Sequence, residues 1–270
     1  MQDSRYTFGD GDVAERRLED IATLFNPAAE AFLRRHVTHP AAIVADIGCG
    51  PGHTTEMLRR ALLADHFIGL DVSRYFLDRA AARLPACRFV RHDVRRTPFP
   101  VVPDLAYCRF LLSHIPDAPA LVDRWVQALA PGGLLILDEL EDIETDVPVF
   151  RRYLDINAGL VASQGADMWV GSALRAAFHG AGVVLSEADR LDVPNRTAAS
   201  WFHPNTRTVW TREPYVLERV DAHERETISR SLAHIRDEDE CRGHAVWVMR
   251  RMILQQRLPS SVGPGTTTWA

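Results

Sequence analysis

The sequence predicts an α/β fold built on a mostly parallel sheet with helices on both faces. Three observations carry this. Short apolar segments alternate with helix-length amphipathic ones at crossover spacing. The first apolar run ends in a glycine loop, Gly48-Cys49-Gly50-Pro51-Gly52. Three carboxylates, Asp46, Asp71 and Asp93, fall at the ends of three successive predicted strands.

The elements follow in order. Asp10-Gly11-Asp12 is a helix-start signal. Val13, Leu18, Ile21, Leu24 and Phe25 then share roughly one face. Asn26-Pro27 predicts a stop and a second helix ending near His36. AIVADIG (42–48) reads as a buried strand, and Thr54 to Ala64 as a helix. HFIGLDVS (66–73) is the second strand and Arg74 to Leu84 its helix. Cys87 to Asp93 is the third strand, and the fourth begins at Asp104. Ala118 to Leu129 is helical, Pro131-Gly132-Gly133 turns, and LLILDEL (134–140) is the fifth strand. Residues 147–182 are helical with a break at Gln164-Gly165. A sixth strand spans 183–191, a polar and aromatic helical insertion 195–238, and the last strand 242–254.

The organisation expected from this is an N-terminal helical lid over 1–39 and a cofactor-binding core over 40–146. Residues 147–241 supply a core helix, strand six and the cap insertions. Residues 242–256 close the sheet, and 257–270 form a disordered tail.

The composition is that of an ordinary globular chain, with 46% hydrophobic and 25% charged residues in 270. The net charge of −5, with arginine as the only strong cation, argues against a nucleic-acid coat. Cys49, Cys87, Cys108 and Cys241 have no CxxC spacing, and the histidines form no HxxxH or HExxH pair, so no metal site is expected. The first residues are polar and acidic, without the apolar core of a secretion signal, and no run of about 18 apolar residues exists. The expectation is a cytoplasmic protein without a membrane partner.

The glycine loop narrows the chemistry. Glycines let backbone groups approach a ligand without obstruction by Cβ. The spacing is GxGxG with His53 next, which is neither the nicotinamide-type GxGxxG nor a GK[ST] phosphate loop. Asp71, at the end of the second strand, is placed to accept both hydroxyls of an adenosine ribose. In open parallel sheets, ligands bind outside the carboxyl ends of the strands.

With those residues in view, the sequence resembles the class I S-adenosylmethionine-dependent methyltransferases, in their small-molecule (type 11/12-like) branch. VADIGCGPGHTT (44–55) resembles the family's first motif and GLDVS (69–73) its second. RHDV (91–94) resembles the adenine-contacting motif, DLAYCRFLLSHIPD (104–117) the motif after strand four, and LAPGGLLILDE (129–139) the fifth-strand motif. The resemblance implies a Rossmann-like sheet of seven strands whose last is antiparallel. It implies S-adenosyl-L-methionine as cofactor and S-adenosyl-L-homocysteine as product. The implied cofactor contacts are Tyr6, Asp46, Gly48, Cys49, Gly50, Asp71, Val72, His92, Asp93, Val94, Cys108 and Arg109. Asp71 would sit on the ribose, Asp93 on the adenine amine and Arg109 on the cofactor carboxylate or on a surface acid.

Methyl transfer from a sulfonium is an in-line displacement, so the protein chiefly aligns the acceptor and excludes water. An acceptor hydroxyl, ammonium or phenol also needs a base. His114, after strand four, and Glu139, read as the end of strand five, are the two candidates, each with a structural alternative. Tyr6 and Phe8 lie on an arm that could close over the cofactor or simply staple the first helix. Phe8, Trp169, Trp201 and His203 are the candidate substrate contacts, and packing of the cap onto the sheet is the alternative for the last three. The expected activity is methylation of O, N or C of a small, aromatic or alicyclic secondary metabolite. A cofactor-binding cyclase and a non-enzymatic cofactor-binding protein are the alternatives. A homodimer is left open.

Overall fold

A computed structural model of the chain describes residues 11–96, 98–179, 182–238 and 241–257. Tyr6, Phe8 and the tail 258–270 lie outside the described residues. The chain runs α1 (Asp12–His36), β1 (Ala41–Ile47), α2 (His53–Ala61), β2 (Ala64–Asp71), α3 (Arg74–Arg83), β3 (Arg88–Arg91) and β4 (Leu105–Arg109). After a 3-10 turn (Leu112–His114) come α4 (Ala118–Gln127), β5 (Leu134–Thr145), α5 (Pro148–Ser163), α6 (Val170–Ala177) and β6 (Val183–Asp192). The helices α7 (Asn195–Arg207), α8 (Pro214–Arg219) and α9 (Ala222–Glu238) precede β7 (Ala245–Gln255).

The seven strands form one sheet in the order β3-β2-β1-β4-β5-β7-β6. β1 to β5 pair in parallel, and β7 runs antiparallel to both β5 and β6. This is the α/β, Rossmann-like sheet the alternation of segments predicts. Central strands bury both faces and therefore read as near-continuous apolar runs, as AIVADI does. β6 lies at an edge, and its residues alternate between exposed and half-buried.

Four sequence expectations are corrected. First, Pro27 does not end α1, which is one helix of 25 residues with the proline inside it. Ala22, Phe25, Ala29, Phe32 and Leu33 are all buried, so the apolar stripe keeps its helical period across Pro27. That burial outweighs the roughly 3 kcal/mol a helix-interior proline costs. Second, α2 ends at Ala61, because Ala64 already pairs with Ala41 in the sheet. Third, β3 ends at Arg91, which leaves Asp93 two residues beyond it. Fourth, β5 does not stop at Leu140 but continues past a bulge to Thr145 along β7.

That long β5–β7 pair is the platform for the cap. Ile143, Trp247 and Met249 of the platform pack with α5, α7, α8, α9 and with Phe25 of α1 in one apolar cluster. Within it Trp247, Phe202, Tyr153 and Trp210 stack in a column, with ring centroids 5.9, 4.4 and 5.4 Å apart. On the opposite part of the platform Arg251 is buried between two acids. Its Nε donates to Asp138 at 3.1 Å and its Nη1 to Asp189 at 2.7 Å, while Tyr107 Oη donates to Asp138 at 2.8 Å. This charged cluster ties β4, β5, β7 and β6 together. No helix among the described residues is long and apolar enough to cross a membrane.

Candidate active site

The glycine loop links β1 to α2 above the carboxyl ends of β1 and β4. Gly50 has a φ of +51°, a left-handed conformation that favours glycine. Among the described residues a Cβ added there would meet only Leu18 Cδ1, at 3.7 Å. At Gly48 the reason for glycine differs. Its φ is +74°, and a Cβ would come within 2.9 Å of Leu111 Cδ2. The bare backbone at 48 is therefore the seat of the Leu111 side chain.

Asp71, at the end of β2, closes on this loop. Its Oδ2 accepts the Gly50 amide at 2.9 Å, and its Oδ1 accepts the Ser73 amide at 2.8 Å. Asp71 thus ties the loop to the end of β2. Asp46, near the end of β1, is 2% exposed and accepts Thr55 Oγ1 at 2.6 Å. Burial pushes its carboxyl up to about 7, against the opposing pull of the Thr55 hydrogen bond and the Arg109 charge. Arg109 ends β4. Its Nη2 donates to Asn26 Oδ1 of α1 at 2.7 Å and to Thr54 Oγ1 at 3.4 Å. Its Nη1 is buried and has no hydrogen-bond partner among the described residues.

The remaining predicted contacts divide. Val72 and His92 flank Asp71 across β2 and β3. The Val72 carbonyl accepts Arg91 Nε at 3.0 Å, and the His92 amide donates to the Asp71 carbonyl at 2.9 Å. Asp93 is held by Arg95, whose Nε and Nη2 donate to its two oxygens at 2.9 and 2.8 Å. That pairing, ahead of burial, keeps the Asp93 carboxyl below the usual range. Val94 is a core residue, and its carbonyl accepts the buried Trp125 indole at 2.8 Å. Cys49 and Cys108 are both buried, and burial pushes both thiols up.

Glu139 is not at an open strand end. It is 0% exposed. Its Oε1 accepts the Leu111 amide at 3.1 Å, the Leu112 amide at 3.2 Å and Cys108 Sγ at 3.4 Å. Burial raises its carboxyl to about 7 despite these donors. His114 closes the 3-10 turn, half-buried, with Arg17 of α1 near enough to act on it. Burial first, and the Arg17 charge second, bring its imidazole down to about 4. It is therefore neutral at pH 7, and the titration near 6–7 expected of an ordinary histidine is displaced.

The cap residues separate as well. Trp201 is buried between Phe25, at 6.2 Å, and Trp247, at 5.8 Å, and its Nε1 has no hydrogen-bond partner among the described residues. Trp169 is half-buried at the start of α6 and packs against the same cluster. His203 turns to α9 instead, where Arg236 Nη1 lies 2.8 Å from its Nδ1. Sequence reasoning missed Phe110, Leu111, Asn26 and Arg17. Phe110 has a φ of +53°, uncommon for a bulky residue, and no local sequence signal announces it.

A family model described as a methyltransferase domain matches residues 44–133. The chain is 41% identical over 123 residues to a trans-aconitate 2-methyltransferase of Variovorax paradoxus, covering 45% of this chain and 46% of that protein. It is 40% identical over 124 residues to a protein of the same name from Paracidovorax citrulli, again covering 45% and 46%. The match thus spans about half the length of these curated relatives. The crystal structure of the YcgJ protein of Bacillus subtilis superposes with a TM-score of 0.53 at 16% identity, covering 86% of this chain and 99% of that one. At that identity the likeness speaks for the fold alone. The matched segment contains the glycine loop, Asp71, Asp93 and Arg109. Residues 44–133 thus resemble a methyltransferase domain, within a chain whose fold is like that of the YcgJ protein.

Proposed function

We propose that this protein transfers a methyl group from S-adenosylmethionine to a small-molecule acceptor by in-line displacement. The observation that carries the reading is the ring of groups at the strand ends: the open glycine backbone at Gly50, Asp71 bound to it, and buried Asp46 beside Arg109. The residues fit the cofactor. An unpartnered, buried Arg109 Nη1 suits its carboxylate. Asp46 suits its ammonium, Asp71 the ribose hydroxyls, and Asp93 the adenine amine once shared with Arg95. When bound, the cofactor supplies an activated methyl group on sulfur.

The chain's own part is to orient and to exclude water. Residues Phe110 to His114 leave β4 between the cofactor loop and the cap, with the Phe110 ring edge-on to Phe25 at 5.0 Å. Glu139 is sealed, and His114 holds a neutral imidazole with a weakened grip on a proton. A site with so little basic power suits a nucleophile that is already ionised. The acceptor class favoured is therefore a carboxylate. The name of the curated relatives, which act on trans-aconitate, supports the same class, and the Arg17 charge acting on His114 and Tyr153 would favour such an anion.

A second reading keeps an aromatic secondary metabolite as acceptor. The unpartnered, buried Trp201 Nε1 and half-buried Trp169 favour it, with His114 taking the acceptor proton. Mass-resolved turnover of a panel of di- and tricarboxylates against phenols and indoles decides. A gain of one methylene on a carboxylate, absent from the aromatics, supports the first reading, and the reverse supports the second. No methyl gain on any acceptor, with the cofactor bound, favours a cyclase or a binding protein.

A further inference from the structure

The connection leaving β4 has an unusual construction. Phe110 is left-handed, with a φ of +53°, and Leu111 follows in the right-handed helical region, with φ −109° and ψ −42°. Adjacent residues of opposite hand turn their successive amides to one side and form a small anion-binding concavity. Here the two amides are those of Leu111 and Leu112, and the anion is supplied from within the chain. Glu139 Oε1 receives both, at 3.1 and 3.2 Å, together with the Cys108 thiol.

What this turn carries matters more than the turn itself. The Leu111 side chain rests on Gly48, where even a methyl group would come within 2.9 Å. The Phe110 ring meets Phe25 of α1 edge-on at 5.0 Å. A further α1 residue, Leu18, lies over Gly50. One carboxylate on β5 therefore fixes a turn that touches the first glycine of the loop on one side and the helix above the loop on the other. The Glu139 side chain has no exposed surface, so its role is exerted through its neighbours.

We propose that Glu139 is a positioning residue of the cofactor site, which acts by holding the Phe110–Leu112 turn against Gly48 and Phe25. The proposal rests on the methyltransferase reading. It replaces a role for Glu139 as the acceptor's base. Oε1 is committed to two backbone amides, Oε2 is buried without a hydrogen-bond partner among the described residues, and the side chain has no exposed surface for an acceptor to reach; an amide oxygen in place of Oε1 can still accept both amides.

The test is titration of S-adenosylhomocysteine into the full-length protein by calorimetry, well below the melting temperature. The variants are Glu139→Leu, Glu139→Gln and Phe110→Gly. Leucine fills much of the volume but orphans both amides, and Kd is expected to rise at least tenfold. Glutamine keeps an acceptor, so rescue to within about threefold of wild type is expected. Glycine adopts the left-handed φ without strain, so Phe110→Gly folds, but it frees the turn and removes the ring. Its Kd, measured below the variant's own melting temperature, is expected to rise about fivefold. A purely structural Glu139 would lower the melting temperature of Glu139→Leu and leave the affinity of the folded protein alone. If Glu139→Leu does not fold, Phe110→Gly decides. Affinities of Phe110→Gly and folded Glu139→Leu within twofold of wild type overturn the proposal. Absence of binding by the wild-type protein overturns the methyltransferase reading, and this inference with it.

Discussion

Replacing Asp71 by alanine separates the job its carboxylate performs in the loop from the one proposed for it on the cofactor. Its oxygens accept the Gly50 amide at 2.9 Å and the Ser73 amide at 2.8 Å, so the variant loosens the glycine loop even without cofactor. An orphaned, partly buried amide costs about 1–3 kcal/mol, and the apo protein is expected to lose stability on that scale in urea. The proposed ribose contact would be a second loss. Hydrogen bonds to a charged acceptor contribute about 1.5–3 kcal/mol, so Kd for S-adenosylhomocysteine is expected to rise roughly 10- to 150-fold. Asp71→Asn keeps one acceptor oxygen and turns an NH2 group towards the other amide, and should fall between the two. Calorimetry and urea melts on the three proteins supply both numbers. A folded Asp71→Ala protein with affinity within twofold of wild type would refute the ribose assignment.

Other expectations follow from the same geometry. Pro27→Ala restores an amide inside α1 at an exposed position, so it should stabilise the protein by about 1–3 kcal/mol in urea; a loss would mean the proline shapes the helix. Arg251→Met leaves buried Asp138 without its cation and should cost about 3–5 kcal/mol; a neutral result would show that the cluster contributes nothing. The pH dependence carries a sign. The folded-state carboxyls of Asp46 and Glu139 titrate at about 7, above their ordinary values, so between about pH 4 and 7 the folded state binds protons that the unfolded state has released. Their contribution to stability is lost as the pH rises through 7. His114, displaced down to about 4, acts oppositely between about 4 and 6.5, where the unfolded chain takes the proton. Melting temperatures of wild type and Asp46→Asn at pH 5 and 7.5 should therefore differ in slope, with wild type losing more on the alkaline side. Parallel slopes would mean that Asp46 titrates normally.

The alternation of strands and helices, the mostly parallel sheet and the glycine loop were legible in the sequence because they depend on local rules. Glycine at a left-handed turn, an acid at a strand end and a buried apolar run each announce themselves within a few residues. What was not legible depends on distant partners. Pro27 is a stop signal by its own chemistry, yet Phe25, Ala29 and Phe32 share one buried stripe that carries α1 through it. β5 outruns its apolar segment because β7, about a hundred residues later, pairs with its polar half. Glu139 looked like an exposed acid among neighbouring acids. Its burial follows from the turn after β4 presenting two amides to it, and nothing near residue 139 encodes that. His203 and the column of Tyr153, Phe202 and Trp210 likewise took their roles from helix–helix contacts within the cap.

The central claim is that a cofactor lies against the bare backbone of the glycine loop. The most direct measurement is titration of S-adenosylhomocysteine into wild type and Gly50→Val, with circular dichroism on both. Among the described residues only Leu18 Cδ1 lies within 4 Å of a Cβ at Gly50, at 3.7 Å, so there is room for a side chain that would block the cofactor's approach; the φ of +51° strains any such side chain, so binding is compared well below the variant's own melting temperature. The account predicts saturable binding by the wild-type protein, loss of affinity by more than about a hundredfold in the variant, and matching spectra. Equal affinity in a folded Gly50→Val protein, or no binding by wild type, would contradict it.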